Sequence, residues 1–374
     1  MPALGGAVEW LNSAPLGPAE RRGFGVSKAG IRLPMGIETS SLRRKGSIMV
    51  NGVHPDVGRA GGFATLPVTL PTDRELTLSH PADDFVIDVI DSGILSFGGN
   101  PHPYLDGHLT DDWDRNVDQV TAPGTSLTVD GHGTVDGHGT FVAGVILRQV
   151  PTARIRMRNT LDGPGGGADA DVAAAIRSLA SLDDLRVLNL SFFGDENKPP
   201  AEIGDALKEL LDAWPDLVVV TAAGNSGTSD PAWPSAFDFP RLISIGAVDE
   251  TVVGIGKPDP LLASFSNFGP TVDAYAGGVS VLGPRFTIDP DSGALRPGWC
   301  YWGGTSFAAA AVTGRIAQVM IKMKIDARQA LERVLTLGDP LSTESSTPTS
   351  KISVPGVQSK LVRPYIHTSK ANRD

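Results

Sequence analysis

From Phe85 onward the chain alternates between short apolar runs and longer stretches in which apolar residues recur every three or four positions. Phe85-Val86-Ile87-Asp88-Val89-Ile90 is β-branched and closes on Asp91-Ser92-Gly93. Val187-Leu188-Asn189-Leu190, Leu217-Val218-Val219-Val220 and Leu242-Ile243-Ser244-Ile245 have the same character. Runs this short and this continuously apolar predict strands covered on both faces, the habit of parallel sheets. Between them, 171–179 and 203–213 carry a helical period, as do 306–324 and 327–335 near the end. Strands alternating with helices of that length predict an α/β fold with a parallel sheet and helices on both faces. Asp88 is the exception inside the first run: an acid there needs a partner if it is buried.

The two ends read differently. The first 80 residues hold no sustained period, are rich in Gly and Pro, and carry the basic clusters Arg21-Arg22 and Arg43-Arg44-Lys45. After Pro340 the composition turns to Ser, Thr and Pro with few apolar anchors, as expected of an irregular tail. The expected division is an N-terminal extension over 1–80, which packs on or flanks a main domain over 81–340, and a tail over 341–374.

Of 374 residues, 41% are hydrophobic and 20% charged, enough to build a core. The net charge of −10 argues against a nucleic-acid partner, because phosphate binding needs a basic face. Cys300 is the single cysteine, so no intrachain disulfide can form, and it reads as a small buried apolar residue. The first residues lack a basic start followed by an apolar run, and no stretch approaches the roughly 18 apolar residues of a membrane span. A cytoplasmic location and no membrane partner are expected on that basis.

The candidate chemistry lies where strands meet loops. A serine hydroxyl becomes a useful nucleophile when a base stands in hydrogen-bond reach and a third group fixes that base. Asp91 ends a strand. His138 precedes the small-residue helical run Phe141-Val142-Ala143-Gly144-Val145. Ser306 opens another, Phe307-Ala308-Ala309-Ala310-Ala311, where helix N–H groups favour developing negative charge. Alone, Asp-Ser-Gly is most often a turn and Gly-Thr-Ser an N-cap. Gly304-Thr305-Ser306-Phe307-Ala308 also lacks the second glycine of a Gly-x-Ser-x-Gly elbow, which disfavours an α/β-hydrolase.

Together, Val89-Ile90-Asp91-Ser92-Gly93, Asp136-Gly137-His138-Gly139-Thr140 and Gly304-Thr305-Ser306-Phe307-Ala308 resemble the three catalytic blocks of the subtilisin-like serine proteases, the subtilases, in that family's order of Asp, His and Ser. The resemblance spans roughly 83–335. It implies a subtilisin-like fold and a serine endopeptidase with the triad Asp91, His138 and Ser306, acting on protein or peptide substrates. It implies further that Asn225, in Ala222-Ala223-Gly224-Asn225-Ser226-Gly227, serves the oxyanion hole with the backbone N–H of Ser306. Two segments would clamp an extended substrate: the glycine run Gly165, Gly166 and Gly167, and Ser191, Phe192, Phe193 and Gly194.

The short repeat 130–141 offers a second histidine, His132, but only His138 is followed by Val-Ala-Gly in the family's manner. His132 is therefore expected to be a loop residue, and no metal ligands are assigned. Many relatives hold structural calcium, which the resemblance leaves possible here without an acidic loop to receive it. Where the family usually has proline and glycine, this chain has Ala310 and Phe193, and the latter borders the pocket for the residue before the scissile bond. The extension shows no match to the inhibitory prodomain of secreted relatives. Two other functions use the same fold: a binding module without catalysis, and a ligase that passes the acyl group to an amine.

Overall fold

The computed structural model describes residues 85–97, 99–114, 137–161, 167–194, 198–250, 260–288 and 295–337, together with residue 81 and short strands at 47–48, 66–68, 339–340 and 360–361. Six parallel strands form the centre: β1 (Val86–Asp91), β2 (Arg154–Asn159), β3 (Val187–Leu190), β4 (Val218–Ala222), β5 (Leu242–Asp249) and β6 (Ala274–Gly277). They lie in the order β2-β1-β3-β4-β5-β6, every neighbouring pair parallel. Outside β6, Lys360–Leu361 adds a parallel strand, and Asp339–Pro340 pairs antiparallel with it.

The pleat sorts the side chains onto two faces. Ile87 and Val89 of β1 pack with α1 (His138–Gln149), while Val220 of β4 and Ile245 of β5 pack with α4 (Thr305–Met323) and α5 (Ala327–Leu337). On the opposite face Ile90, Leu188 and Leu190 pack with Val172 and Ile176 of α2 (Asp169–Ser178) and with Ile203, Leu207 and Leu210 of α3 (Ala201–Ala213). Each such fully buried aliphatic side chain contributes about 1.5–3 kcal/mol of transfer free energy. The expected parallel sheet with helices on both faces is what is observed.

Asp88 has its partner. It sits on the α2/α3 face, almost wholly buried, and accepts a bond from Nη1 of Arg156 on β2 at 3.1 Å, while Arg156 Nη2 reaches both oxygens of Asp184 at 2.8 Å.

Three features place the site. The chain passes from β1 outward to β2 and then returns to β3 on the other side of β1, so the strand order reverses between β1 and β3. In open parallel sheets the crevice at such a reversal, outside the carboxyl ends of the strands, is where ligands bind. Asp91 ends β1 and Ser191 follows β3 at that crevice. Next, an antiparallel hairpin of β7 (Val281–Ile288) and β8 (Leu295–Trp302) leads into α4, and Leu66–Val68 pairs along its outer edge with Trp299–Tyr301. Lastly, Gly167–Ala168 pairs antiparallel with Ser47–Ile48. Among the described residues, no helix is long and apolar enough to cross a membrane.

Candidate active site

Alternation along β1 turns Asp91 toward α1, the face opposite Asp88. There its Oδ1 and Oδ2 lie 2.8 and 3.0 Å from Nδ1 of His138, the first residue of α1. The backbone N–H of Ser92 donates to Asp91 Oδ1 at 2.7 Å, and that of Gly139 donates to Ser92 Oγ at 3.0 Å. The first turn of α1 thus lies directly on the turn after β1. A Cβ at Gly139 would come within 2.4 Å of Gly93 O, so only glycine permits this approach. Since Nδ1 donates to the carboxylate, Nε2 is left as the acceptor of a neutral imidazole.

Nε2 is buried with no hydrogen-bond partner, and His138 as a whole is 0% exposed. Its surroundings are aromatic. The Phe307 ring centroid lies 5.5 Å away, and Trp302 meets the imidazole edge-on at 5.8 Å.

Ser306 stands on the first turn of α4, where backbone N–H groups have no partner inside the helix. Its hydroxyl donates to Ser191 O at 3.0 Å. The Ser191 hydroxyl lies 2.9 Å from Ser306 O and 2.8 Å from Asn189 Oδ1, and the Asn189 amide donates to Thr313 Oγ1 at 2.9 Å. This buried chain ties the end of β3 to α4 and sets the depth of the helix start. The Asp91–His138 bond is therefore made, Phe307, the residue after Ser306, lies against the His138 ring, and the Ser306 hydroxyl rests on the Ser191 carbonyl.

Asn225 follows β4. Its Oδ1 accepts from Thr305 N at 2.9 Å and from Thr305 Oγ1 at 2.8 Å. With the oxygen held against the helix start, Nδ2 is turned toward Gly304, 3.7 Å from where a Cβ there would lie.

The profile of the subtilase family matches residues 82–337, from four residues before β1 to the end of α5. The chain belongs to the subtilase family. It is 31% identical over 285 residues to a thermophilic serine proteinase of Bacillus sp. strain AK1, covering 73% of this chain and 61% of that protein. It is 29% identical over 258 residues to the serine protease AprX of Bacillus subtilis strain 168, covering 63% and 56% respectively. The chain thus spans less than two thirds of the length of either relative. A crystal structure of a cold adapted subtilisin-like serine proteinase superposes with a TM-score of 0.53 at 20% identity, over 79% of this chain and 94% of that one, which is a likeness of fold.

In this subtilase the segment after β3 is fully buried. Phe192 joins the apolar cluster of α2 and α3, and Phe193, the next residue, is 1% exposed. Gly194 exchanges two backbone hydrogen bonds with Trp233, at 2.8 and 3.0 Å. Gly167 is in the short strand paired with Ser47–Ile48. Gly165, Gly166 and His132 lie outside the described residues. Cys300 is buried, and burial pushes its thiol up to about 11, as suits an inert packing residue. Among the described residues no three His, Cys, Asp or Glu side chains come together as a metal site would require, so no calcium ligands are named.

Sequence reasoning did not single out Thr305, Asn189, Trp302 or Phe307. Thr305 and Phe307 flank Ser306 and were available as neighbours of a candidate nucleophile. Asn189 carried a signal too, as the polar residue inside an apolar strand.

Proposed function

We propose that this subtilase is a serine endopeptidase working through an acyl-enzyme on Ser306. The observation that carries the reading is the buried bond from His138 Nδ1 to Asp91, joining residues 47 positions apart, with Phe307, next to Ser306 on the first turn of α4, packed against the imidazole. In this mechanism the Ser306 hydroxyl leaves Ser191 O and donates to the acceptor at His138 Nε2. Ser306 Oγ then attacks the scissile carbonyl as its proton passes to Nε2, while Asp91 holds Nδ1–H and stabilises the imidazolium. The tetrahedral oxyanion is met by the backbone N–H of Ser306 and by Asn225 Nδ2. Nε2 returns the proton to the leaving amine, and water cleaves the ester by the same route.

A protein or peptide substrate is supported by the proteinases to which the chain is similar. It is supported also by the antiparallel strand that Gly167–Ala168 accepts from the chain itself, the backbone pairing by which an extended peptide adds to an edge. The test is labelling with a fluorophosphonate, which modifies an activated serine. Stoichiometric modification of Ser306 is expected, lost in Ser306→Ala and in His138→Ala. A folded protein that never labels between pH 5 and 10 would be a binding module.

A further inference from the structure

The oxyanion reading of Asn225 needs a rigid loop, because a donor helps only if it is already aimed where charge develops. Thr305 fixes the side chain of Asn225 from the helix side. The backbone of residues 224–228 is held from elsewhere, by the segment Phe265–Phe268. Gly227 N donates to Phe265 O at 2.8 Å, and Phe268 N donates to Thr228 O at 3.0 Å.

Between those two bonds sits Asn267, 2% exposed. Its backbone N–H donates to Gly224 O at 3.0 Å. Its side-chain Oδ1 accepts from Ser226 N at 2.9 Å and, more weakly, from Thr228 N at 3.5 Å. The residues on both sides of Asn225 are thus anchored to one buried residue, Gly224 through the Asn267 backbone N–H and Ser226 through its side-chain Oδ1. Gly224 has φ +104, a left-handed conformation, and a Cβ there would fall 2.5 Å from Asn267 Nδ2, so the amide packs closely against the backbone it holds. Asn267 is itself braced, since Ser266 Oγ donates to Asn267 O at 2.9 Å and accepts from Ala247 N of β5 at 2.8 Å. The brace runs from the central sheet through Asn267 to the loop that carries Asn225.

We infer that Asn267 is a positioning residue for the oxyanion hole, acting through Asn225 without touching substrate. A neutral amide suits this position, because Oδ1 accepts two loop N–H groups and adds no negative charge beside a developing oxyanion. The inference rests on the role proposed for Asn225.

The experiment is a double-mutant cycle of Asn225→Ala and Asn267→Ala in the full chain, with active sites counted by fluorophosphonate titration. Asn225→Ala is expected to lower kcat by about 10²–10³, the usual loss of one oxyanion donor. Asn267→Ala is expected to lower kcat about tenfold with KM within twofold, and to cost almost nothing further in the Asn225→Ala background. A variant that merely loosened the fold would lose active sites or shift KM, and would do so in either background. Asn267→Ser is the milder second variant, because it keeps a hydroxyl acceptor one bond short of the loop; the same pattern at smaller amplitude is expected. If Asn225→Ala leaves kcat unchanged, the oxyanion reading itself fails. If Asn225→Ala is slow but both Asn267 variants are neutral, or their losses multiply with it, the positioning role alone is overturned.

Discussion

Asp88 and Phe193 depart from what their surroundings ask of a residue, and each has a measurable consequence. Asp88 lies three positions before Asp91, buried in the sheet, with Oδ2 unpaired and Oδ1 on Arg156. Burial pushes its carboxyl up to about 7, against the lowering pull of Arg156 and with a smaller push from Asp184. The unfolded chain ionises this group near 3.8, so between about pH 4 and 7 the folded state binds the extra proton, and stability falls as pH rises through that window. Asn at this position carries no such penalty. Asp88→Asn is expected to gain on the parent as pH rises from 5 to 8, by at most on the order of 2–3 kcal/mol, in urea melts at the two pH values. A difference that stays constant with pH would show that Asp88 is charged throughout. Phe193 makes a different prediction. Phe193 is 1% exposed and lies two residues after Ser191, whose hydroxyl meets Ser306 O, and the expectation is that its ring fills volume that a substrate residue before the scissile bond would otherwise occupy. Since one methylene in such a pocket is worth about 1–3 kcal/mol, Phe193→Gly is expected to raise kcat/KM for large aromatic residues there at least tenfold. A peptide library read with both proteins decides it, and an unchanged profile would mean that the ring lies outside the pocket.

Among the elements, those buried on both faces were the legible ones. β1, β3 and β4 read as strands because neither face admits water, and α2 and α3 because their apolar residues repeat at helical spacing. β2 did not, for a physical reason: it is the last strand of the sheet, and Arg154, Arg156 and Arg158 alternate with Ile155 and Met157. Ile155 and Met157 join the α1 cluster, while the arginines meet Asp111, Asp88, Asp184 and Asp112, so the strand shows the charged alternation of a protected edge. The β7–β8 hairpin was obscured by Pro284 and Pro297, which break the strand pattern. At the site, Asp91, His138 and Ser306 were legible because each closes a strand or opens a helix in a local block. Thr305, Asn189 and Asn267 act on partners 80, 124 and 41 positions away, and no local pattern records such contacts.

For the whole molecule, the two pairings made by residues from the first 80 bear on how the catalytic unit is held. Ser47–Ile48 borders the strand that follows the glycine run, and Leu66–Val68 borders β8, whose last residue, Trp302, stands edge-on to His138. Both are antiparallel partners of edges that would otherwise present open N–H and C=O groups. Removing residues 1–80 deletes both partners and leaves the strands of the central sheet in place. Each lost backbone bond is worth about 0.5–1.5 kcal/mol net, and at about 2–4 °C per kcal/mol for a domain of some 150–250 residues the loss of a few bonds amounts to several degrees. A chain beginning at residue 81 is therefore expected to melt several degrees below the full chain in a thermal scan, with the Asp91–His138 bond intact and Ser306 still labelled by fluorophosphonate. The hairpin should show the loss first, as faster amide exchange at Trp299 and Tyr301 than in β3 or β4. An unchanged melting temperature with unchanged exchange in β8 would mean that these pairings add nothing to the fold and that the catalytic unit is complete without its first 80 residues.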